Sequence, residues 1–160
     1  MKKIVSIVGN PKLQSKTSLV AKEISRQFKE KNDLVDMGLL ELAPIGACLF
    51  EWGNQEVQIY VEKIIQSDVI IVASPTYKAA YTGLLKAFLD QIPQEGLKGK
   101  TVLPVMMGAA PHHKMAVDVF LTPLLLELGA NCPLRGLYVM ESDMENVPAI
   151  ISAWLDHAAI

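Results

Sequence analysis

The sequence predicts an α/β protein, a three-layer α/β/α sandwich built on a five-stranded parallel sheet. Short β-branched runs alternate with longer segments of helical period, the pattern of successive βαβ units. The runs "DVIIVA" and "TVLPVMM" are apolar on both alternations, as strands are when helices cover both faces of their sheet. At 160 residues the chain has the length of one domain, residues 1–160, with no repeat, low-complexity tract or linker.

Strands are expected at Lys3 to Val8, Leu34 to Met37, Asp68 to Ala73, Thr101 to Met107 and Leu134 to Met140. Helices fill the gaps. The first should bury Leu19, Val20, Ile24 and Phe28, and the second Val57, Tyr60, Val61, Ile64 and Ile65. The third carries Leu84, Leu85, Phe88, Leu89 and Ile92 on one face. The fourth should span about Lys114 to Leu128, kinked where Pro123 removes a backbone donor. The last presents Val147, Ile150, Ile151, Trp154 and Leu155. "LLELAPIGACLFEWGN", Leu39 to Asn54, reads as irregular chain, either a plain connection or a cover over a site.

Composition narrows the function classes. Fifteen basic and seventeen acidic residues give a formal charge of −2, which offers no electrostatic case for a nucleic acid or a membrane surface as partner. Cys48 and Cys132 have neither CxxC nor Cys/His spacing, so they read as buried thiols outside any zinc site. The apolar run near the amino terminus is too short for a signal peptide, and no run approaches the roughly 18 apolar residues of a membrane span. A cytoplasmic protein is expected.

In open parallel sheets ligands sit outside the carboxyl ends of the strands. Three segments leave those ends, "GNPKLQSKTS", "SPTYKAAYTG" and "MGAAPHHK", and they should converge on one pocket. The first imitates a Walker loop, but counting from Gly9 puts Gln14 where the second glycine belongs and Ser15 where the lysine belongs. "DVIIVASP" has its acid at the wrong end to hold magnesium. A dinucleotide fingerprint is missing too, since Gly9 is the loop's one glycine. What remains is Asn10, Lys12, Ser15, Lys16, Thr17 and Ser18 at a helix start, a set suited to a single phosphate monoester such as that of FMN. Ser15, Thr17 or Ser18 must also cap the helix. In the second loop, backbone amides of Thr76, Tyr77 and Lys78 are expected to hydrogen-bond the edge of a flat heterocycle, with Tyr77 or Tyr81 beside it.

At "GNPKLQSKTS" and "SPTYKAAYTGLLKAFLD" the chain resembles the NADPH-dependent FMN reductases of flavodoxin-like fold, and most nearly the flavin reductases that serve alkanesulfonate monooxygenases. The resemblance runs from Lys3 to about Ala130 and includes "GKTVLPVMMG". It implies strand order 2-1-3-4-5 and an FMN-dependent oxidoreductase using NADPH or NADH, with free flavin, a quinone, an azo compound or a metal ion as acceptor. It implies FMN phosphate at Asn10, Lys12, Ser15, Lys16, Thr17 and Ser18. The ring would lie along Pro75, Thr76, Tyr77 and Lys78, with Gly108 and Ala109 on its far rim. No residue is assigned as acid, base or nucleophile, and no metal is expected, because the cofactor carries the chemistry.

The run "AYTGLLKAFLD", with the fourth helix, reads as a face for a homodimer or homotetramer, although core packing explains most of it, and the resemblance implies a monooxygenase that receives reduced flavin. Asn10 and Lys12 stand where serine and arginine are usual, so bidentate phosphate contact is lost. Val119 stands where the sulfonate branch inserts a tyrosine, which bears on whether FMN is released or kept. His113 matches a histidine of that branch and is a candidate substrate contact beside His112. Asp90 resembles the acid that ends the family's third helix, in the role of an ion pair. The competing readings are an electron carrier of the same fold, disfavoured by the weak net charge, and an FMN-binding module that does not oxidise NADPH.

Overall fold

A computed structural model of the chain describes residues 1–157. Strands β1 (Lys3–Val8), β2 (Val35–Glu41), β3 (Val69–Pro75), β4 (Thr101–Gly108) and β5 (Leu137–Met140) form one parallel sheet in the order β2-β1-β3-β4-β5. Helices α1 (Lys16–Asn32), α2 (Gln55–Ile65), α3 (Gly83–Leu89), α4 (Thr122–Glu127) and α5 (Val147–Leu155) supply the crossovers and the final layer. Chain order reverses between β1 and β3, which opens the crevice at their carboxyl ends.

The period of two along β3 divides the core. Val69, Ile71 and Ala73 face α1 and α5, packing with Ile24, Phe28, Ile151 and Leu155. Ile70 and Val72 face the other layer, with Val61, Ile64, Leu85, Phe88 and Leu125. All five of these β3 residues are buried, which accounts for the unbroken apolar run in the sequence.

Several expectations need correction. The second strand reaches Glu41, beyond Met37; it is a half-exposed edge, and Gly38 takes a left-handed φ of 97° where the register against β1 shifts. Three residues of the stretch from Leu39 to Asn54 therefore belong to β2. In the rest a 3₁₀ turn (Ala43–Cys48) follows, Leu42, Ile45 and Leu49 are buried in the core, and Phe50 and Trp52 are exposed. Leu19 and Ile65 are exposed, because each lies at the border of its helix's apolar stripe. The fifth strand starts at Leu137, and neither cysteine is fully buried.

The fourth helix departs furthest. It is a 3₁₀ turn (Pro111–Met115), a π-helical turn (Val117–Leu121) and then α4, with Pro123 in the first turn of α4. Pro123 has no N–H to offer the Val119 carbonyl and its ring crowds that oxygen, so the preceding turn widens and the Thr122 N–H reaches back five residues to Val117. The expected kink takes the form of this wide turn. Asp118 secures it by accepting the Gly136 N–H at 2.8 Å. Among the described residues no helix is long and apolar enough to cross a membrane.

Candidate functional site

The first loop leaves β1 while still paired, the Gly9 N–H donating to Ala73 at 2.8 Å, and then turns through Pro11 and Lys12. Asn10 stabilises that turn twice: its side-chain oxygen accepts the Lys12 N–H at 2.9 Å, and its amide donates to Thr17 Oγ1 at 3.2 Å. Gln14 adopts a left-handed φ of 51°, and its N–H is taken by the Glu41 carboxylate at 2.9 Å. Ser15 is the residue that caps α1, accepting the Ser18 N–H at 3.2 Å. The N–H groups of Lys16 and Thr17 lie in the first turn of a 17-residue helix, where no earlier carbonyl of the helix can reach them.

These groups line a cleft of about 290 Å³ together with Pro75, Met107 and Glu141. Asn10, Lys12, Ser15, Lys16 and Thr17 are thus brought together around one opening. Ser18 is not: it is fully buried, its hydroxyl shared with Ser15 at 3.1 Å and donated to Glu41 at 2.5 Å. Its role is to hold the loop's shape.

The second loop is bolted to the first. Thr82 donates its hydroxyl to the Gly9 carbonyl at 2.6 Å and accepts the Leu85 N–H at 3.1 Å, so one side chain caps α3 and fixes the first loop. Gly9 is required by this approach, since a Cβ there would lie 2.6 Å from Leu85 Cβ. Beyond Pro75, the Thr76 N–H donates to Met107 at 2.7 Å and the Tyr77 N–H to Ala80 at 2.9 Å, the latter pair closing a two-residue turn.

Two of the three amides expected at a heterocycle's edge are therefore occupied. The N–H groups of Lys78 and Ala79 stand outside that pair. Both residues are left-handed, at φ 49° and 64°, the geometry of a type I′ turn that normally takes Asn-Gly. Non-glycine residues there cost on the order of 1–2 kcal/mol each, strain of the kind that gathers at ligand clamps. The Thr76 hydroxyl is buried and without a hydrogen-bond partner. Tyr77 is 51% exposed at the turn.

In the third loop Gly108 is buried against Tyr138, whose hydroxyl occupies the space a Cβ would need and donates to the Ala110 carbonyl at 2.9 Å. Burial pushes the Tyr138 phenol above its ordinary range and keeps it a neutral donor. Ala109 is exposed. His112 and His113 pack edge to face at 4.2 Å between ring centres, and His112 lines a separate open cleft with Lys114, Met115, Asp118 and Arg135. His113 lies outside both clefts. Asp90 pairs with Lys86 at 2.6 Å at the end of α3, the ion-pair role expected of it.

The sequence reading missed Glu41, Thr82, Tyr138 and Glu141. Glu41 ends a strand that runs four residues past Met37, and Glu141 leaves β5 from the same sheet edge as the other three loops. Counting a fourth loop at that edge would have found it.

The donors fit a phosphate monoester. A helix amino terminus with two free amides, a hydroxyl cap and two lysines is an anion seat. Residues 2–145 match the family model described as NADPH-dependent FMN reductase. The chain belongs to that family. It is 32% identical to FMN reductase (NADPH) of Escherichia coli strain K12 over 147 residues, 89% of this chain and 75% of the relative. A crystal structure of an NADH:FMN oxidoreductase superposes with a TM-score of 0.86 at 29% identity, covering 100% of this chain and 92% of the other. An oxidised flavodoxin of Bacillus cereus, 20% identical, shares the fold with a TM-score of 0.67, covering 98% and 99% of the two chains.

Proposed function

We propose that this member of the family seats FMN across the three loops and oxidises NADPH or NADH there. The protein is an FMN-dependent oxidoreductase. The observation that carries the placement is the cleft in which the start of α1, Lys12, Lys16 and Pro75 meet. FMN held there would supply hydride chemistry between the nicotinamide and free flavin, a quinone or a similar acceptor.

Every other task falls to this chain. Lys12, Lys16, Ser15 and the Lys16 and Thr17 amides hold the phosphate, with Asn10 ordering the loop around them. Pro75, Thr76, Tyr77 and Lys78 line the ring, and the amides of the strained Lys78–Ala79 turn are preset for its polar edge. Gly108, packed against Tyr138, and exposed Ala109 form the far rim where the nicotinamide would approach, with His113 beyond it as a substrate contact. No side chain is needed as acid or base, since hydride transfer requires alignment of two rings and exclusion of water.

Exposed Met115, Val119, Phe120 and Leu126 around the wide turn supply a face for a homodimer or homotetramer. A monooxygenase that uses reduced flavin is the partner we favour, and the cytoplasm, where its nucleotides are found, the compartment.

The test is binding and turnover on purified protein. FMN should bind and NADPH or NADH should be consumed; absence of both overturns the assignment. Lys12→Ala with Lys16→Ala should weaken FMN binding about ten- to a hundredfold, the range for lost hydrogen bonds to a charged group, while riboflavin, which has no phosphate, is little affected. Equal loss for both flavins would move the phosphate elsewhere.

A further inference from the structure

The phosphate seat contains an anion of its own. Lys16 Nζ lies 3.4 Å from Glu141 Oε2, linking the start of α1 to the turn that follows β5, 125 residues away in sequence. Both side chains are about half exposed, at 56% and 52%, so the pair can open without disturbing the core. Glu141 also lines the cleft itself, between the first loop and Met107. Behind the loop a second carboxylate, Glu41, is committed to the Gln14 N–H and the Ser18 hydroxyl. Glu141 begins the 3₁₀ turn "ESDMEN", whose other acids, Asp143 and Glu145, do not line the cleft.

An incoming phosphate competes with Glu141 for Lys16, and whichever way the lysine turns, the Glu141 carboxylate stays beside the new dianion. We propose, on the reading of the cleft given above, that Glu141 is a resident rival of the flavin 5′-phosphate and sets how readily FMN leaves. Glu141 occupies Lys16 when the seat is empty and returns to it as the phosphate departs. The chain thereby favours flavin that exchanges with solution over flavin held as a fixed group. Glu141 is an affinity-determining residue and takes no part in hydride transfer.

The size of the effect follows from exposure. An exposed ion pair contributes little, and like charges near the surface repel modestly, so removing the rival charge should tighten FMN binding about three- to tenfold. Salt screens both contributions beyond a Debye length of about 8 Å at physiological ionic strength.

The experiment is a titration of flavin-free full-length protein with FMN and, separately, riboflavin, followed by quenching of flavin fluorescence. Glu141→Gln keeps the shape and removes the charge. It should lower the Kd for FMN about three- to tenfold, leave riboflavin unchanged, and lose most of its advantage at about 0.5 M salt. Glu141→Ser should act in the same direction, and Glu145→Gln, on the same turn but outside the cleft, should not. In a Lys16→Ala background Glu141→Gln should gain less, because there is no lysine left to release. If wild type binds FMN and Glu141→Gln binds it no tighter, or gains equally for riboflavin, Glu141 is no rival. If wild type binds neither flavin, the placement of the phosphate fails as well.

Discussion

The segments that follow β1 and β4 start from the same edge of the sheet and end differently. After β1 the chain makes one short loop and then a 17-residue helix with a side-chain cap at Ser15 and a left-handed stop at Asp33. After β4 it needs a 3₁₀ turn, a π turn and a six-residue helix to cover a similar distance. The difference lies in backbone donors. Between Lys16 and Asn32 every residue has an N–H, whereas Pro111 and Pro123 each remove one from the later segment. Uninterrupted donors give a rigid floor for a ligand. Interrupted ones give an irregular wall, here held in place by Asp118 on Gly136 and by Val117 packed against the same glycine.

The sharpest way to break this contrast is to add a side chain to each segment's first turn. Gly9→Val should cost about 2–4 kcal/mol in denaturant unfolding, because the new atoms overlap Leu85 and the start of α3. Ala109→Val, at the exposed third loop, should stay within about 0.5 kcal/mol. Similar losses at both sites would mean that the two loops are equally constrained.

Next in size are the tethers. Thr82→Ala removes a helix cap and the bond to Gly9 together and should cost about 1–2 kcal/mol, with Thr82→Ser recovering most of it. Asp118→Ala leaves the Gly136 amide without its acceptor and should cost about 1 kcal/mol. A smaller effect is expected from Pro123→Ala. The restored N–H should bond the Val119 carbonyl and become protected from amide exchange, at a stability change below about 1 kcal/mol. A freely exchanging amide at that position would acquit the proline of widening the turn.

The smallest effect concerns Cys132, in the connection between α4 and β5. Burial pushes its thiol up to about 11, so at pH 8 alkylation by iodoacetamide should be far slower than that of free cysteine. The thiol's pKa in the folded chain lies above its ordinary value of 9.0, so the stabilisation is complete below pH 9 and declines as pH rises towards 11. Rapid labelling of Cys132 in folded protein at pH 8 would show that this connection opens locally.

The same contrast explains what could be read before the structure. The strands of the sheet centre and the make-up of the first loop were legible because they depend on local patterns: apolar runs, a capping hydroxyl, lysines at a helix start. Glu41, Thr82, Tyr138 and Glu141 were not. Each acts across a separation of 23 to 125 residues, on Ser18, Gly9, Ala110 and Lys16, and no local pattern marks such a pairing. The strained turn at Lys78 and Ala79 was hidden for a different reason. Its residues are poor choices for a left-handed turn, so sequence preference points away from the geometry the fold imposes. The wide turn before α4 was half legible: Pro123 announced an interruption, but its form depends on where Val117 and Leu125 are anchored on either side.

The Thr82 hydroxyl on the Gly9 carbonyl has a consequence for how the cleft breathes. Two loops clasped by a fully buried bond at the head of a helix open only when the surrounding core opens, so the floor of the cleft and one of its walls move as a single body. The opposite bank is tied from outside that body: past the end of β4 the third loop is fixed by the Tyr138 hydroxyl on the Ala110 carbonyl, and Ala109 lies in solvent.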